Sequence, residues 1–359
     1  MKTILIIFAA LLTALSARSQ ENEKPSPFSV SGYLETYYAY DFGAPENNTR
    51  PNFLYSYNRH NEINLNIGFL QGSYTTERVR ANLALMAGTY ANANLAAEPG
   101  VLKNIYEANA GVRISARKNL WVDAGIFGSH IGFESAIGKD CWSLTRSILA
   151  ENSPYYEAAA KISYTSDNGK WFLSGMILNG WQRIQRVEGN SLPSFGTQIT
   201  FKPSSSVTLN SSTFIGTDKP DSARQMRYFH NFYAVVQILE KVGLTIGFDY
   251  GVEEKNSETN TMNPWLSPVV IVRFTMIDKL AVALRAEYYE DEHGVLIYTG
   301  TPHGFKTTGI SANVDYAITP NAMWRLEARN FKSKDDIFLQ EGEPSSSNTC
   351  ITTSLAINF

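Results

Sequence analysis

Residues 350–359 read CITTSLAINF, and they alternate without a fault. Ile351, Thr353, Leu355, Ile357 and Phe359 fall on one face, and Cys350, Thr352, Ser354, Ala356 and Asn358 on the other. A side-chain period of two means an extended strand with one apolar and one polar face. The termini of soluble domains tend to fray. A transmembrane β-barrel instead needs an intact last strand to pair with the first, because no open sheet edge survives in lipid. The stretch therefore predicts a closed sheet with the C-terminal strand at its seam.

The other end agrees. Met1-Lys2 is a short basic start, and Thr3–Leu15 (TILIIFAALLTAL) has the length of a signal h-region. It is too short for a membrane helix when polar sequence follows. Ser16-Ala17-Arg18-Ser19 supplies small residues for cleavage, with the cut placed after Ser19 and one after Ala17 as the alternative. No Cys sits at the junction, which argues against a lipoprotein. Residues 1–19 thus read as a signal peptide, 20–27 as a short periplasmic segment and 28–359 as a single barrel.

Losing Lys2 and Arg18 with the signal moves the net charge from −3 to −5, so no basic surface speaks for a nucleic-acid partner. No later apolar run approaches the length of a helical span. The chain is nevertheless 12% aromatic and only 18% charged. A barrel accounts for this with apolar residues towards lipid, aromatic girdles at the interfaces and polar residues inside.

Sixteen alternating segments can be marked: Phe28–Tyr40, Asn61–Tyr74, Arg78–Tyr90, Ile105–Ala116, Leu120–Gly128, Pro154–Thr165, Lys170–Trp181, Ser194–Phe201, Val207–Gly216, Arg227–Leu239, Val242–Val252, Leu266–Ile277, Leu280–Glu290, Lys306–Ile318, Ala322–Phe331 and Cys350–Phe359. Short connections such as Thr75-Thr76, Glu240-Lys241 and Thr319-Pro320-Asn321 take turns with long ones such as Asp41–His60, Ser129–Ser153 and Lys332–Thr349. Short periplasmic turns and long extracellular loops produce that alternation, and a Greek-key sandwich has no reason to keep it. The expected fold is an all-β, antiparallel, up-and-down transmembrane barrel of 16 strands. A barrel of that size leaves an aqueous channel.

Facing follows from parity. Ile63, Leu65, Ile67 and Phe69 should meet lipid opposite Glu62, Asn64 and Asn66. Val79, Leu83 and Leu85 should point out, with Arg78, Arg80 and Asn82 inward. On the later strands Leu284, Leu326 and Ile310 read outward, and Arg285, Glu287, Asn313, Asp315, Arg325, Glu327 and Arg329 inward. The pore wall is assigned Glu62, Arg78, Arg80, Arg113, Arg285, Arg325 and Arg329, a set that leans towards Arg and hence towards anionic or zwitterionic solutes.

The third long connection, Ser129–Ser153 (SHIGFESAIGKDCWSLTRSILAENS), mixes charges with many apolar residues. A loop waving in solvent has no need of Ile131, Phe133, Ile137, Trp142, Leu144, Ile148 and Leu149. It is expected to fold into the lumen, with a short helix within Trp142–Ala150 and Glu134, Lys139, Asp140, Arg146 and Glu151 facing the passage. An ordered extracellular cap is the alternative.

Tyr57–Phe69 (YNRHNEINLNIGF), Asp123–Glu134 (DAGIFGSHIGFE) and Thr145–Tyr156 (TRSILAENSPYY), together with the terminal strand, resemble the putative β-barrel porin-2 (OmpL-like) family of Gram-negative outer-membrane proteins. The resemblance implies a porin-type barrel whose solute is undefined, no catalytic residues to carry over, and Phe359 as an assembly signal.

Rival chemistries are weak. His60, His130, His230, His293 and His303 show no metal-ligand spacing, and no metal or cofactor is expected. Ser129 and His130 are adjacent, which puts them on opposite faces of a strand and argues against a hydrolase pair. Glu253-Glu254 and Asp291-Glu292 read as solvated loop ends. Cys141 and Cys350 are candidates for a disulfide pinning the loop to the closing strand, or for two unpaired buried thiols. The reading is a non-enzymatic porin passing small hydrophilic solutes, exported to the outer membrane. Its partners would be lipid, lipopolysaccharide and the barrel-assembly machinery, with the oligomeric state left open. The alternative is a closed barrel whose loops bind an envelope or secretion partner.

Overall fold

The computed structural model describes residues 26–256 and 261–359; the expected signal peptide and most of the periplasmic segment lie outside them. Sixteen antiparallel strands close into a barrel in chain order. They are β1 (Phe28–Asp41), β2 (Ile63–Thr75), β3 (Val79–Ala87), β4 (Ile105–Arg113), β5 (Asn119–Gly128), β6 (Tyr156–Thr165), β7 (Trp171–Leu178), β8 (Ser194–Ser204), β9 (Val207–Gly216), β10 (Arg227–Leu239), β11 (Val242–Glu254), β12 (Met262–Ile277), β13 (Leu280–Asp291), β14 (Phe305–Thr319), β15 (Ala322–Ser333) and β18 (Ser347–Asn358). The remaining two, β16 (Phe338–Gln340) and β17 (Glu343–Ser345), pair as a hairpin within the last long loop.

Each expected segment holds a strand, with shifts of a few residues at either end. β12 begins at Met262 rather than Leu266, and β18 at Ser347 rather than Cys350. β3 stops short, at Ala87 rather than Tyr90, because Gly88 turns the backbone with φ 134° and starts a short helix over Thr89–Asn94. A side chain at Gly88 would also meet the Asn66 carbonyl.

One facing assignment is corrected. The register between β1 and β2 slips, with Glu35 opposite Ile67 but Thr36 opposite Leu65. The extra residue, Asn66, makes a bulge, and a bulge reverses the facing of the residues beyond it. Ile63 therefore remains exposed, whereas Ile67 is buried inside and Leu70 takes the outward position instead. Phe69 turns inward with Ile67 and stacks on Tyr106 at 4.5 Å. The outward assignments of Val79, Leu83, Leu85, Leu284, Ile310 and Leu326 hold, and all six are exposed.

The seam is closed by β1 and β18, in register from Tyr33 opposite Asn358 to Asp41 opposite Cys350. Beyond the strand, Phe359 and Gly32 exchange both backbone hydrogen bonds, at 2.8 and 3.0 Å. The tip of the Phe359 ring lies over Gly32, where a Cβ would come within 2.4 Å of it. An aromatic ring covering a bare glycine is a cross-strand pair at the lipid face, of a kind that contributes up to about 1 kcal/mol. Gly32→Val is expected to push the ring off, and Phe359→Ala to remove it. Both should lower the fraction of barrel that migrates as the compact, unheated form in a semi-native gel, with Phe359→Ala the milder of the two.

Candidate functional site: a charged wall and the loop docked on it

Alternation on β13, β14 and β15 puts Arg285, Glu287, Asn313, Asp315, Arg325, Glu327 and Arg329 on one face, opposite exposed Leu284, Ile310 and Leu326. Every one of these seven polar residues is buried. They pair among themselves. Arg325 grips Asp315 through two bonds of 2.6 and 3.0 Å. Arg285 donates to Glu327 at 2.7 Å and Arg329 to Glu287 at 2.6 Å. The register explains the reach, since Arg285 lies opposite Ser311 and Ser311 opposite Arg329.

What buries this wall is the backbone of the loop between β5 and β6. Arg325 donates to the carbonyls of Gly138 and Cys141. Arg285 donates to the Thr145 carbonyl at 2.6 Å, and Arg329 to that of Arg146 at 2.8 Å. The carboxylates take the N–H groups: Thr145 donates to Glu327 and Ile148 to Glu287. Leu144 donates to Asn313 at 3.0 Å. Irregular backbone thus finds partners along its length, as buried peptide groups must. The expected helix within Trp142–Ala150 is a single turn, Ile148–Glu151, capped by the Ser147 hydroxyl accepting from Ala150 N–H.

The loop leaves β5 and rejoins β6 at the long-loop end, and Lys139 Nζ donates to the Pro320 carbonyl, in the short turn between β14 and β15, at 2.8 Å. Trp142 lies against Gly243, at the short-turn end of β11. Gly138 fits where nothing larger would, because a Cβ there would fall 2.5 Å from the Glu35 carboxylate and 2.7 Å from the Tyr57 hydroxyl. That hydroxyl itself donates to Glu35 at 2.9 Å.

The sequence-assigned loop charges separate into two groups. Glu134 accepts from Ser147 N–H at 3.0 Å, and Arg146 donates to the carbonyls of Ser135, Leu144 and Ala136. Glu151 accepts from Tyr55 N–H at 2.9 Å and from Ser56. These three are buried and hold the loop's shape; Lys139 and Asp140 are the accessible pair. The wall set separates as well. Arg285, Arg325 and Arg329 form the docking surface. Arg80 is bound to Asp123 at 2.6 Å and lies over Trp121. Arg78 and Arg113 sit at short-turn ends, and Glu62 pairs with Arg59 at 2.7 Å ahead of β2. Four of the six wall arginines, Arg80, Arg285, Arg325 and Arg329, are thus each paired with a carboxylate.

The disulfide alternative falls away: Cys141 and Cys350 are free and buried. Cys141 points at its own loop's carbonyls, and the Arg50 guanidinium stands 2.7 Å from the Cys350 sulfur. Glu35, Asp123 and Glu157 are inward partners that sequence reasoning passed over. Parity marks the first two as inward, but only the fold supplies the group each one meets.

The loop's stem carries two shifted groups. Burial opposes a charge on His130, yet the Glu157 carboxylate 2.6 Å away outweighs it and raises the imidazole pKa. The other ring nitrogen lies 2.9 Å from the Thr213 carbonyl. Burial pushes the Glu151 carboxyl up to about 7, against the pull of the Tyr55 N–H and of Arg146.

The family described as "Putative beta-barrel porin-2, OmpL-like" matches residues 27–359. No curated protein matches the chain. Among solved structures, OmpT of Vibrio cholerae, expressed in the outer membrane, is similar with a TM-score of 0.61 at 9% identity, over 94% of this chain and 100% of its own. The anion-selective porin from Comamonas acidovorans is similar with a TM-score of 0.59 at 11% identity, over 92% and 99%. At such identities the likeness is one of fold. The closed sixteen-stranded barrel and the family match over its whole length make this chain a member of the putative β-barrel porin-2, OmpL-like family, an outer-membrane porin.

Proposed function

We propose that the protein is a passive diffusion channel for small hydrophilic solutes, with its lumen narrowed by the loop 129–153. The carrying observation is that this loop reaches the opposite end of the barrel, Lys139 to Pro320, while docked on the β13–β15 side. Across from it, inward side chains including Asn82, Asn109, Lys161, Gln198 and Thr200 remain half-exposed. Two cavities line that side. One of about 200 Å³ is lined by Tyr106, Phe133 and Tyr233, and one of about 400 Å³ by Lys170, Thr200, Lys202 and again Tyr233. Tyr233 joins them, so the passage runs along the β4–β10 half, between polar groups that include Lys161, Lys170 and Lys202. With the arginines Arg285, Arg325 and Arg329 matched by carboxylates, these lysines tilt the route towards anionic and zwitterionic solutes. The exposed apolar belt faces outer-membrane lipid and lipopolysaccharide, and the terminal strand ending at Phe359 is the handle for the assembly machinery. Residues 1–19 are the exported protein's cleaved signal.

Conductance in a planar bilayer tests the reading. The native protein should conduct, and replacing residues 136–143 by a short Gly-Ser linker should raise the conductance several-fold. Silence from both would favour the closed, partner-binding barrel. Reversal potentials in a salt gradient should show a mild preference for anions; clear cation selectivity would sink the argument from the lining.

Arg325→Met should strand Asp315 and free two loop carbonyls. Removing one partner of a buried pair costs about 3–5 kcal/mol. The expected result is a less heat-resistant barrel with larger, noisier openings. Adding Asp315→Leu should restore heat resistance but not the small conductance.

Loop docking should also weaken as pH rises. The raised carboxyl of Glu151 binds its proton more tightly when docked, so its contribution is whole below the usual 4.5 and falls away towards about 7. His130 acts in the same sense, because a raised imidazole stabilises the docked form below its unfolded value and loses that effect above its folded one. Open-channel noise should increase from pH 5 to pH 8.5, and Glu151→Gln should flatten the acid part of that change.

A further inference from the structure

At the long-loop end, apart from the passage, a cavity of about 350 Å³ lies between the first, seventh and eighth long loops. Its size suits a small ligand. Its lining includes Thr49, Asn52, Tyr298 and Thr299, and its only charged members are Asp41 and Asp336; among the described residues no Lys, Arg or His lines it. Phe53, Phe305 and Phe338 form an apolar side, with Phe53 edge-on to Phe305 at 4.8 Å. Tyr298 stands at the mouth, 77% exposed.

Two buried lining groups are incomplete. Asn348 donates its amide to Asp41 Oδ1 at 2.6 Å, which fixes the orientation of both. This leaves the Asn348 carbonyl oxygen and Asp41 Oδ2, both buried, without hydrogen-bond partners among the described residues. Arg50 Nε comes no nearer to Asp41 Oδ2 than 3.7 Å, too far to donate but near enough to offset the carboxylate's charge. Buried acceptors without donors call for a group that supplies them. A free anion finds no cation on the lining, and a cation finds the Asp41 charge offset by Arg50 and only the exposed, solvent-screened Asp336 besides. A neutral ring with hydroxyls on its edges and C–H groups on its faces answers both halves, since the hydroxyls can donate to the two oxygens and the faces can lie on Tyr298 and the phenylalanines.

We propose that this cavity binds a neutral sugar, free or as a unit of a surface glycan. The test uses the purified barrel in lauryldimethylamine oxide, which carries no sugar headgroup, and saturation-transfer NMR. The probes are glucose, galactose, mannose and maltose, polysaccharide released from lipopolysaccharide, and glucuronate as the anionic control. At least one neutral probe should receive saturation, glucuronate should not, and Tyr298→Ala should weaken the binding at least tenfold while conductance is unchanged. Free sugars binding points to a soluble ligand, and polysaccharide alone to a surface glycan; either supports the site. Asn348→Leu should abolish binding where it folds, and the exposed Tyr298 decides the matter if it does not. No saturation of any neutral probe, equal binding of glucuronate, or no effect of Tyr298→Ala would overturn the proposal.

Discussion

The interior depends on one arrangement: Arg285, Arg325 and Arg329 each bound to a carboxylate of the wall and, at the same time, to a carbonyl of the loop. Neither half would stand without the other. Taking a guanidinium out of water is costly unless its donors are met. A loop without regular structure has peptide groups that the strands cannot satisfy through their own ladders. Arginine suits the task because its planar fork can hold a carboxylate on one edge and reach a carbonyl with the other. Glu287 and Glu327 complete the exchange by taking the N–H groups of Ile148 and Thr145.

This arrangement changes what the charges are for. Three arginines and the three carboxylates Asp315, Glu287 and Glu327 sum to no net charge, and all are out of reach of solvent. They are anchors. The accessible polar side chains are instead the half-exposed ones of the opposite wall and Lys139 and Asp140 of the loop. A barrel this wide cannot fill itself with its own side chains; of the loop, Leu149 and Ala150 lie in one apolar cluster and Ile131 and Ile148 in another. The division of labour is spatial: paired charges and loop backbone meet on the β13–β15 side, and half-exposed polar side chains line the rest.

The fold survives at 9–11% identity to the two compared structures because what it requires is a pattern. Alternation, turn residues and a closing strand can be met by many sequences. The loop's path cannot, because it relies on particular complements: the Gly138 backbone against Glu35 and Tyr57, Trp142 against Gly243, and Lys139 against the Pro320 carbonyl.

The strand count, the order of long and short connections and most of the facing were legible in the sequence, since side-chain parity is a local property of extended backbone. The exception, Ile67 and Phe69, arose at Asn66, where a bulge depends on a partner strand and leaves no local sign. The inward positions of Arg285, Asp315, Arg325, Glu327 and Arg329 were equally legible. Their role was not, because Arg285 meets Glu327 across 42 residues and Arg329 meets the Arg146 carbonyl across 183. A one-dimensional reading counts charges; only the closed barrel decides which of them face each other. The sequence by itself therefore determined that this chain forms a barrel and which residues look inward. Tertiary structure alone decided that the inward arginines are neutralised and hold a loop, because Coulombic and hydrogen-bond partners are set by distance in space.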